Sequence, residues 1–422
     1  MTTAARTQAP DAPSYAPSSP SSPSSPRSVA SRIGAALQWI GLAAVFACVL
    51  ELACRAEDWV MYRMPIQSRY ASLNDLVIRD ADGMHGRPSS SFEKWTMNSL
   101  GTRGPETTVV PAPGTLRVIT VGASETFGLR ESPGREYPRQ LEDSIVARVA
   151  RGECGGTTAP KFEVLNAAWA GMGIPTIDQD IRNRLKRLHP DFIFAYPSPA
   201  QYLDDEVPFA AEPDSTARLV PPPASNALHL RSVDRGREQL KLLAPEWLKT
   251  LIRRSKRADE VRSHPRDWQF TSVPNDRVAA FDLDLRRLIG TIRRIGAEPV
   301  LATHGNLYMD RTARDAYALV AWEKFYPRAT GATIIAFDSV ARVTMFRVAA
   351  DSHVVVVDAA KRLAAAPASA FADFVHFTDI GSSHMADVAS AGVIASAQQT
   401  GRCGASAGRS QRTPSGVGQG AR

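Results

Sequence analysis

Between Leu116 and Ser396, short apolar runs alternate with stretches whose apolar residues recur at helical spacing. LRVITV (116–121), FEVLNA (162–167), DFIFAY (191–196), PVLATH (299–304), TIIAF (333–337) and VVVV (354–357) each read as a short strand. Between them, Glu136–Ala150, Ile177–Leu188 and the series Val278, Phe281, Leu285, Ile289 and Ile292 read as helices. A last helix runs from Ile380 to about Ser396. Strands that are apolar throughout, rather than at every second position, belong to sheets covered on both faces. The pattern therefore predicts an α/β domain built on a parallel sheet. Residues 205–275 break the rhythm with PPPAS, RRSKR and scattered aromatics, and read as an insertion, either a lid or a partly flexible excursion.

The ends differ in kind. Residues 9–30 are Pro/Ser-rich and too poor in apolar surface to offset chain ordering, so 1–31 is expected to be a disordered tail, as is 399–422. Ile33 to Cys54 is an apolar run with only Gln38 and Glu51 as interruptions, both near its ends. At ~1.5 Å per residue it spans a hydrocarbon core of roughly 30 Å. Trp39 and Trp59 stand where interfacial aromatics would. We read 32–55 as a single transmembrane helix. Arg6, Arg27 and Arg32 precede it with one acid, Asp11, while Arg55, Glu57, Asp58 and Arg63 follow as a balanced set. The positive-inside tendency places the large domain outside, which for a bacterial inner membrane is the periplasm.

Composition adds little to this picture. Hydrophobic residues make up 44% and charged residues 22%, as in an ordinary globular protein. The net charge of +7 is spread over both tails and 230–266 and defines no single face; with no recognisable nucleic-acid module, no nucleic-acid partner is expected. Of four cysteines, Cys48 and Cys54 fall in the apolar run. Cys154 and Cys403 would form one disulfide in an oxidising compartment or remain two thiols elsewhere. No CxxC occurs, and His304 and His376 belong to no ligand set at metal spacing, so neither metal nor cofactor is expected. His353 and His384 are expected to cap or face solvent.

Three segments carry chemistry. Val121-Gly-Ala-Ser124-Glu-Thr-Phe-Gly128 follows the first strand, at the strand end where α/β sheets hold their sites. Small residues at 122 and 123 permit a sharp turn whose backbone N–H groups can hold an oxyanion; an N-cap serine would explain the same residues. Asn166-Ala-Ala-Trp-Ala-Gly171-Met-Gly173 follows the second strand. Asp373-Phe-Val-His376 leads into the last helix. There His376 can take the Ser124 proton, and Asp373 can orient the imidazole and stabilise its charged form.

In order and spacing these segments resemble the SGNH (GDSL-type) hydrolases over roughly residues 116–397. That resemblance implies a flavodoxin-like three-layer sandwich with a central parallel sheet, preceded here by the transmembrane helix and an N-terminal extension (56–115). It implies Ser124 as nucleophile, Asp373 and His376 as its partners, and the Ser124 and Gly171 amides as oxyanion donors. Asn98-Ser-Leu-Gly-Thr-Arg103-Gly-Pro-Glu106 resembles a segment that precedes the serine block in membrane-linked members. Two positions depart from the pattern. Ala123 stands where the family has Asp, and the segment Pro197–Leu203 lacks the family's oxyanion Asn. Losing such a donor typically costs about 10²–10³ in turnover; Gln201, or Asn306 in the Thr303–Asn306 loop, is a candidate substitute. The expected activity is a serine esterase acting on O-acyl groups of a carbohydrate or envelope polymer, or on a small ester. An O-acyltransferase with the same acyl-enzyme and a binding protein that has lost activity are the alternatives.

Overall fold

The computed structural model describes residues 29–68, 70, 72–155, 159–204, 230–309 and 316–404. Both expected disordered tails, apart from a few residues, and residues 205–229 of the insertion lie outside that set. The chain divides into two compact units, Met1–Ala53 and Cys54–Arg422. The first contributes most of helix α1 (Val29–Tyr62), within which Ile33–Tyr62 is long and apolar enough to cross a membrane.

The second unit opens with two small antiparallel pairs, β1 (Val77–Asp80) with β2 (Gly83–Gly86) and β3 (Ser91–Phe92) with β4 (Trp95–Thr96). The main sheet follows. Strand β5 (Thr115–Gly122) leads to the one-turn helix α2 (Ser124–Phe127) and to α3 (Tyr137–Ala150). Strand β6 (Lys161–Asn166) is followed by α4 (Ile174–Asn183), and β7 (Phe192–Tyr196) by the 3-10 turn Pro199–Leu203. Helices α5 (Arg231–Leu243), α6 (Glu246–Arg262) and α7 (Asn275–Arg294) precede β8 (Glu298–Ala302). Then come α8 (Ala316–Phe325), α9 (Gly331–Asp351), β9 (Val355–Val357), α10 (Ala359–Ala364) and α11 (Asp379–Gln399). All five main strands are parallel, in the order β6-β5-β7-β8-β9. Numbered within the sheet, this is 2-1-3-4-5, the flavodoxin-like order, with its switch point between β5 and β7.

The strands are apolar on both faces because each face is covered. Val118, Phe192, Phe194, Tyr196, Val300 and Ala302 point into one core with Leu141 of α3 and Met385, Ala389 and Val393 of α11. The alternate residues Ile119, Val121, Ile193, Ala195 and Leu301 point into the other, with Ile177 of α4, Phe281 and Leu285 of α7 and Phe337 of α9. Each such large side chain stabilises the fold by roughly 1.5–3 kcal/mol when fully buried. A disulfide joins Cys154, after α3, to Cys403, after α11, tying together the ends of two helices on one face.

One expected strand is a helix. TIIAF (333–337) lies inside α9. Thr330 N-caps it, its hydroxyl accepting from the Thr333 amide. Ile334, Phe337, Ala341, Met345 and Val348 are buried at helical spacing, and no glycine or proline stops the chain after Phe337. A five-residue apolar run cannot by itself distinguish the first turn of such a helix from a strand. Residues 230–262 of the insertion form α5 and α6, and the described part carries regular structure.

Candidate active site

The serine turn is built by close approach. A Cβ at Gly122 would stand 2.1 Å from Thr126 Oγ1 and 2.6 Å from the Tyr196 carbonyl oxygen, so β5 ends on a residue with no side chain. Ser124 opens α2 at the switch point, half-buried, with Phe127 N–H donating to Ala123 O and Gly128 N–H to Ser124 O. Beneath the turn, Asn166 Nδ2 donates to Thr126 O at 3.0 Å and Tyr137 Oη to Thr126 Oγ1 at 3.0 Å. Arg103 is buried there too. Its guanidinium donates to the carbonyls of Phe127 and Gly128 and pairs with Glu136 at 3.2 Å. It arrives on a self-bonded loop in which Asn98 Nδ2 donates to Thr102 Oγ1 and to Pro105 O. The Asn98–Glu106 segment thus braces the carbonyl end of the serine turn.

The DxxH turn is pinned beside it. Ser132 N–H donates to Asp379 Oδ1 at 2.8 Å and Ser382 Oγ to Glu131 Oε1 at 2.8 Å, stitching the chain after α2 to the start of α11. His376 Nδ1 lies 2.9 and 2.8 Å from the two Asp373 oxygens, and the amides of Val375 and His376 donate to Asp373 Oδ1 at 3.1 and 3.0 Å. Burial pushes the Asp373 carboxyl up, but hydrogen bonding to His376 and its charge outweigh this and hold it below the ordinary carboxylate range. Burial pulls His376 down, yet its hydrogen bond to Asp373, the Asp373 charge and then the Glu125 charge leave it raised, against the opposing Arg130. His376 Nε2 is buried and has no partner. The serine hydroxyl does not take it: Ser124 Oγ donates to Glu125 Oε2 at 3.2 Å.

Glu125 belongs to a second charged chain. Its Oε1 receives His304 Nε2 at 3.3 Å, and His304 Nδ1 meets Asp338 Oδ1 at 2.9 Å. Asn306 Nδ2 donates to the other Asp338 oxygen, and the His304 ring stacks on Tyr196 at 5.4 Å. Glu125, His304 and Asp338 are each 3% exposed. Burial disfavours the His304 cation, but the charges and hydrogen bonds of Asp338 and Glu125 push its pKa up to about 10. Burial likewise disfavours the Glu125 anion, and the His304 hydrogen bond and charge, with the His376 charge, hold it below the ordinary value.

The other candidates fall into different roles. Gly171 sits exposed at φ +86° with open space where a Cβ would be. Its amide makes no hydrogen bond among the described residues, and the Ser124 amide, first in its helix, has no intrahelical acceptor. Asn306 is committed: its amide group serves Asp338 and its carbonyl accepts from Tyr308 N–H at 2.8 Å, so it supports the His304 chain. Gln201, buried in the turn after β7, has a side-chain oxygen with no partner. Sequence reasoning passed over Glu125, His304 and Asp338 as a unit. A usable signal existed for Asp338, an acid falling at helical spacing among Ile334, Phe337 and Ala341, but only if that run is read as a helix.

No protein-family model and no curated protein matches the chain. Among solved structures it is similar to a lipase/acylhydrolase from Enterococcus faecalis (15% identity, TM-score 0.36, 66% of this chain and 96% of that one). It is also similar to the α/β hydrolase LAE5 from the metagenome of Lake Arreo (14% identity, TM-score 0.36, 66% and 94%). A third is the acetyl xylan esterase AlAXEase (12% identity, TM-score 0.35, 64% and 96%). The chain's own strand order, with the serine turn after β5 and the DxxH turn before the last helix, gives it a flavodoxin-like α/β fold with a central parallel sheet.

Proposed function

We propose that this protein is a membrane-anchored serine ester hydrolase of the SGNH type, acting on O-acyl groups of a carbohydrate or cell-envelope polymer outside the cytoplasm. The observation that carries the reading is His376: its Nδ1 is locked to Asp373 while Nε2 is buried and unpartnered, and the ring feels the charge of Glu125, the residue after Ser124. That is the disposition of a general base awaiting a proton.

In the step implied, Ser124 Oγ forms a bond to the acyl carbon as its proton passes to His376 Nε2. The carbonyl electron pair moves onto oxygen, opposite the Ser124 and Gly171 amides. His376 then returns the proton to the departing alcohol oxygen as its bond to the acyl carbon breaks. Water repeats the sequence on the acyl-serine. Gln201 is the side chain we assign to the missing donor's place, because rotating its amide exchanges oxygen for N–H at the unpartnered position. The apolar helix supports anchoring, and the Cys154–Cys403 disulfide supports an oxidising compartment.

The test uses the full-length chain in detergent, treated with a fluorophosphonate and weighed intact beside Ser124→Ala. One adduct on the wild type and none on the variant supports the reading. Acetylated sugars, with and without an acceptor alcohol, then separate hydrolysis from transfer. A folded wild type that takes no adduct sinks the enzyme reading and leaves a binding scaffold.

A further inference from the structure

The proposed reaction needs one base and one orienting acid, and Asp373 with His376 supply them. It leaves unused a buried carboxylate that touches the nucleophile itself. Ser124 Oγ, Glu125, His304, Asp338 and Asn306 form one unbroken chain of hydrogen bonds running inward from the surface of the site. Its members come from three places, the serine turn, the loop after β8 for His304 and Asn306, and α9 for Asp338, and Tyr196 at the end of β7 stacks on the His304 ring.

A purely structural ion cluster would be closed on itself. This one is not closed. Asp338 spends both oxygens inside the cluster, and His304 spends both nitrogens, but Glu125 spends one oxygen on His304 and turns the other to the serine hydroxyl. Burying a carboxylate this deeply is costly unless a cation holds it. His304, itself held by Asp338, is that cation.

Resting on the esterase reading, we infer that Glu125 is a further charged member of the catalytic site. The His304–Asp338 pair fixes its carboxylate beside Ser124, where it is the resting acceptor of the serine hydroxyl and a counter-charge to the His376 imidazolium formed during acyl transfer. His304 and Asp338 are positioning residues that act through it. The charged groups bearing on His376 are Asp373 from its own turn, Glu125 from α2 and Arg130 from the following loop. Those bearing on Glu125 are His304 and His376, with the buried hydroxyls of Tyr137, Tyr196 and Tyr326, which burial and the Glu125 charge keep neutral. The sign follows directly: a nearby anion favours the charged imidazole, so removing it lowers the pH at which His376 becomes a competent base.

The experiment compares wild type, Glu125→Gln and Glu125→Asp as full-length proteins in detergent. The His376 titration is followed by NMR of carbon-13-labelled imidazoles, assigned with His376→Gln, and the pH profile of kcat/KM for an ester is recorded beside it. In Glu125→Gln both the His376 titration and the acid limb of the profile move down by about half a unit to one unit, whereas Glu125→Asp, which keeps the charge, restores most of the difference. A folded Glu125→Gln whose His376 titration and acid limb stay where the wild type has them overturns the inference and makes the chain a core staple. If that variant does not fold, the wild type alone decides: a His376 titrating at or below the ordinary histidine value overturns it. Absence of any Ser124 adduct on folded wild type defeats the esterase reading instead, and the NMR titration still reports whether Glu125 acts on His376.

Discussion

Two histidines in this molecule are each held by an aspartate through Nδ1, and they differ in what is left over. His376 meets Asp373 at 2.8 Å and keeps Nε2 without a partner. His304 meets Asp338 at 2.9 Å and gives Nε2 to Glu125. The first can accept a proton; the second already holds one, since two carboxylates flank it and push its pKa up to about 10. An Asp–His pair therefore does not by itself mark a base. What decides is whether the distal nitrogen is free, and that depends on residues far away in the chain.

The sharpest way to break the comparison is to remove each imidazole in turn. His376→Gln is expected to lower ester turnover by about 10⁴-fold or more while leaving the thermal midpoint almost unchanged. The converse holds for His304→Leu, which strands two buried carboxylates beside one another. Loss of one partner from a buried charged network typically costs about 3–5 kcal/mol, so the urea midpoint should fall steeply, while the protein that stays folded loses far less turnover than His376→Gln does. A stable His304→Leu would mean that Glu125 and Asp338 share a proton instead of needing a cation. Smaller again is the disulfide. Cys154 and Cys403 are 249 residues apart, and replacing both by serine is expected to cost about 2–4 kcal/mol without altering the His376 titration, because the bond lies at the helix ends, away from Ser124.

The difference between the two histidines also measures how far the sequence could be read. The strand pattern, the serine turn after the first strand and the DxxH turn are local signals, and apolar runs with small residues after them reveal where a sheet presents loops. Asp373 and His376 are three residues apart, so their pairing is visible in the sequence itself. The His304 chain joins positions 125, 304 and 338, and no local pattern brings these together. Its last member was hidden behind TIIAF, read as a strand although Thr330 caps it as a helix. Asn306 shows the same limit from the other side. In sequence it is a free amide in a promising loop; in the fold Asp338 has claimed it. The Cys154–Cys403 pair, open in the sequence, is settled only because α3 and α11 pack side by side.

The smallest expected effect sharpens the comparison through pH. His304 is raised from an ordinary 6.5 to about 10 in the folded chain. In the unfolded chain it titrates near its ordinary value, so between these two limits the native state holds a proton that the unfolded state has released. Stability then falls as pH rises, by at most about 1.4 kcal/mol per pH unit from this one group. The contribution is complete below about 6.5 and is lost as pH climbs through the folded value. Urea unfolding of wild type and His304→Gln at pH 7 and pH 9 isolates it, since every other titrating group outside the chain is common to both. The gap between the two proteins should narrow at the higher pH. A gap that stays constant would mean that His304 is neutral in the fold, with Glu125 or Asp338 carrying the proton; the two histidines would then differ only in their partners and not in charge.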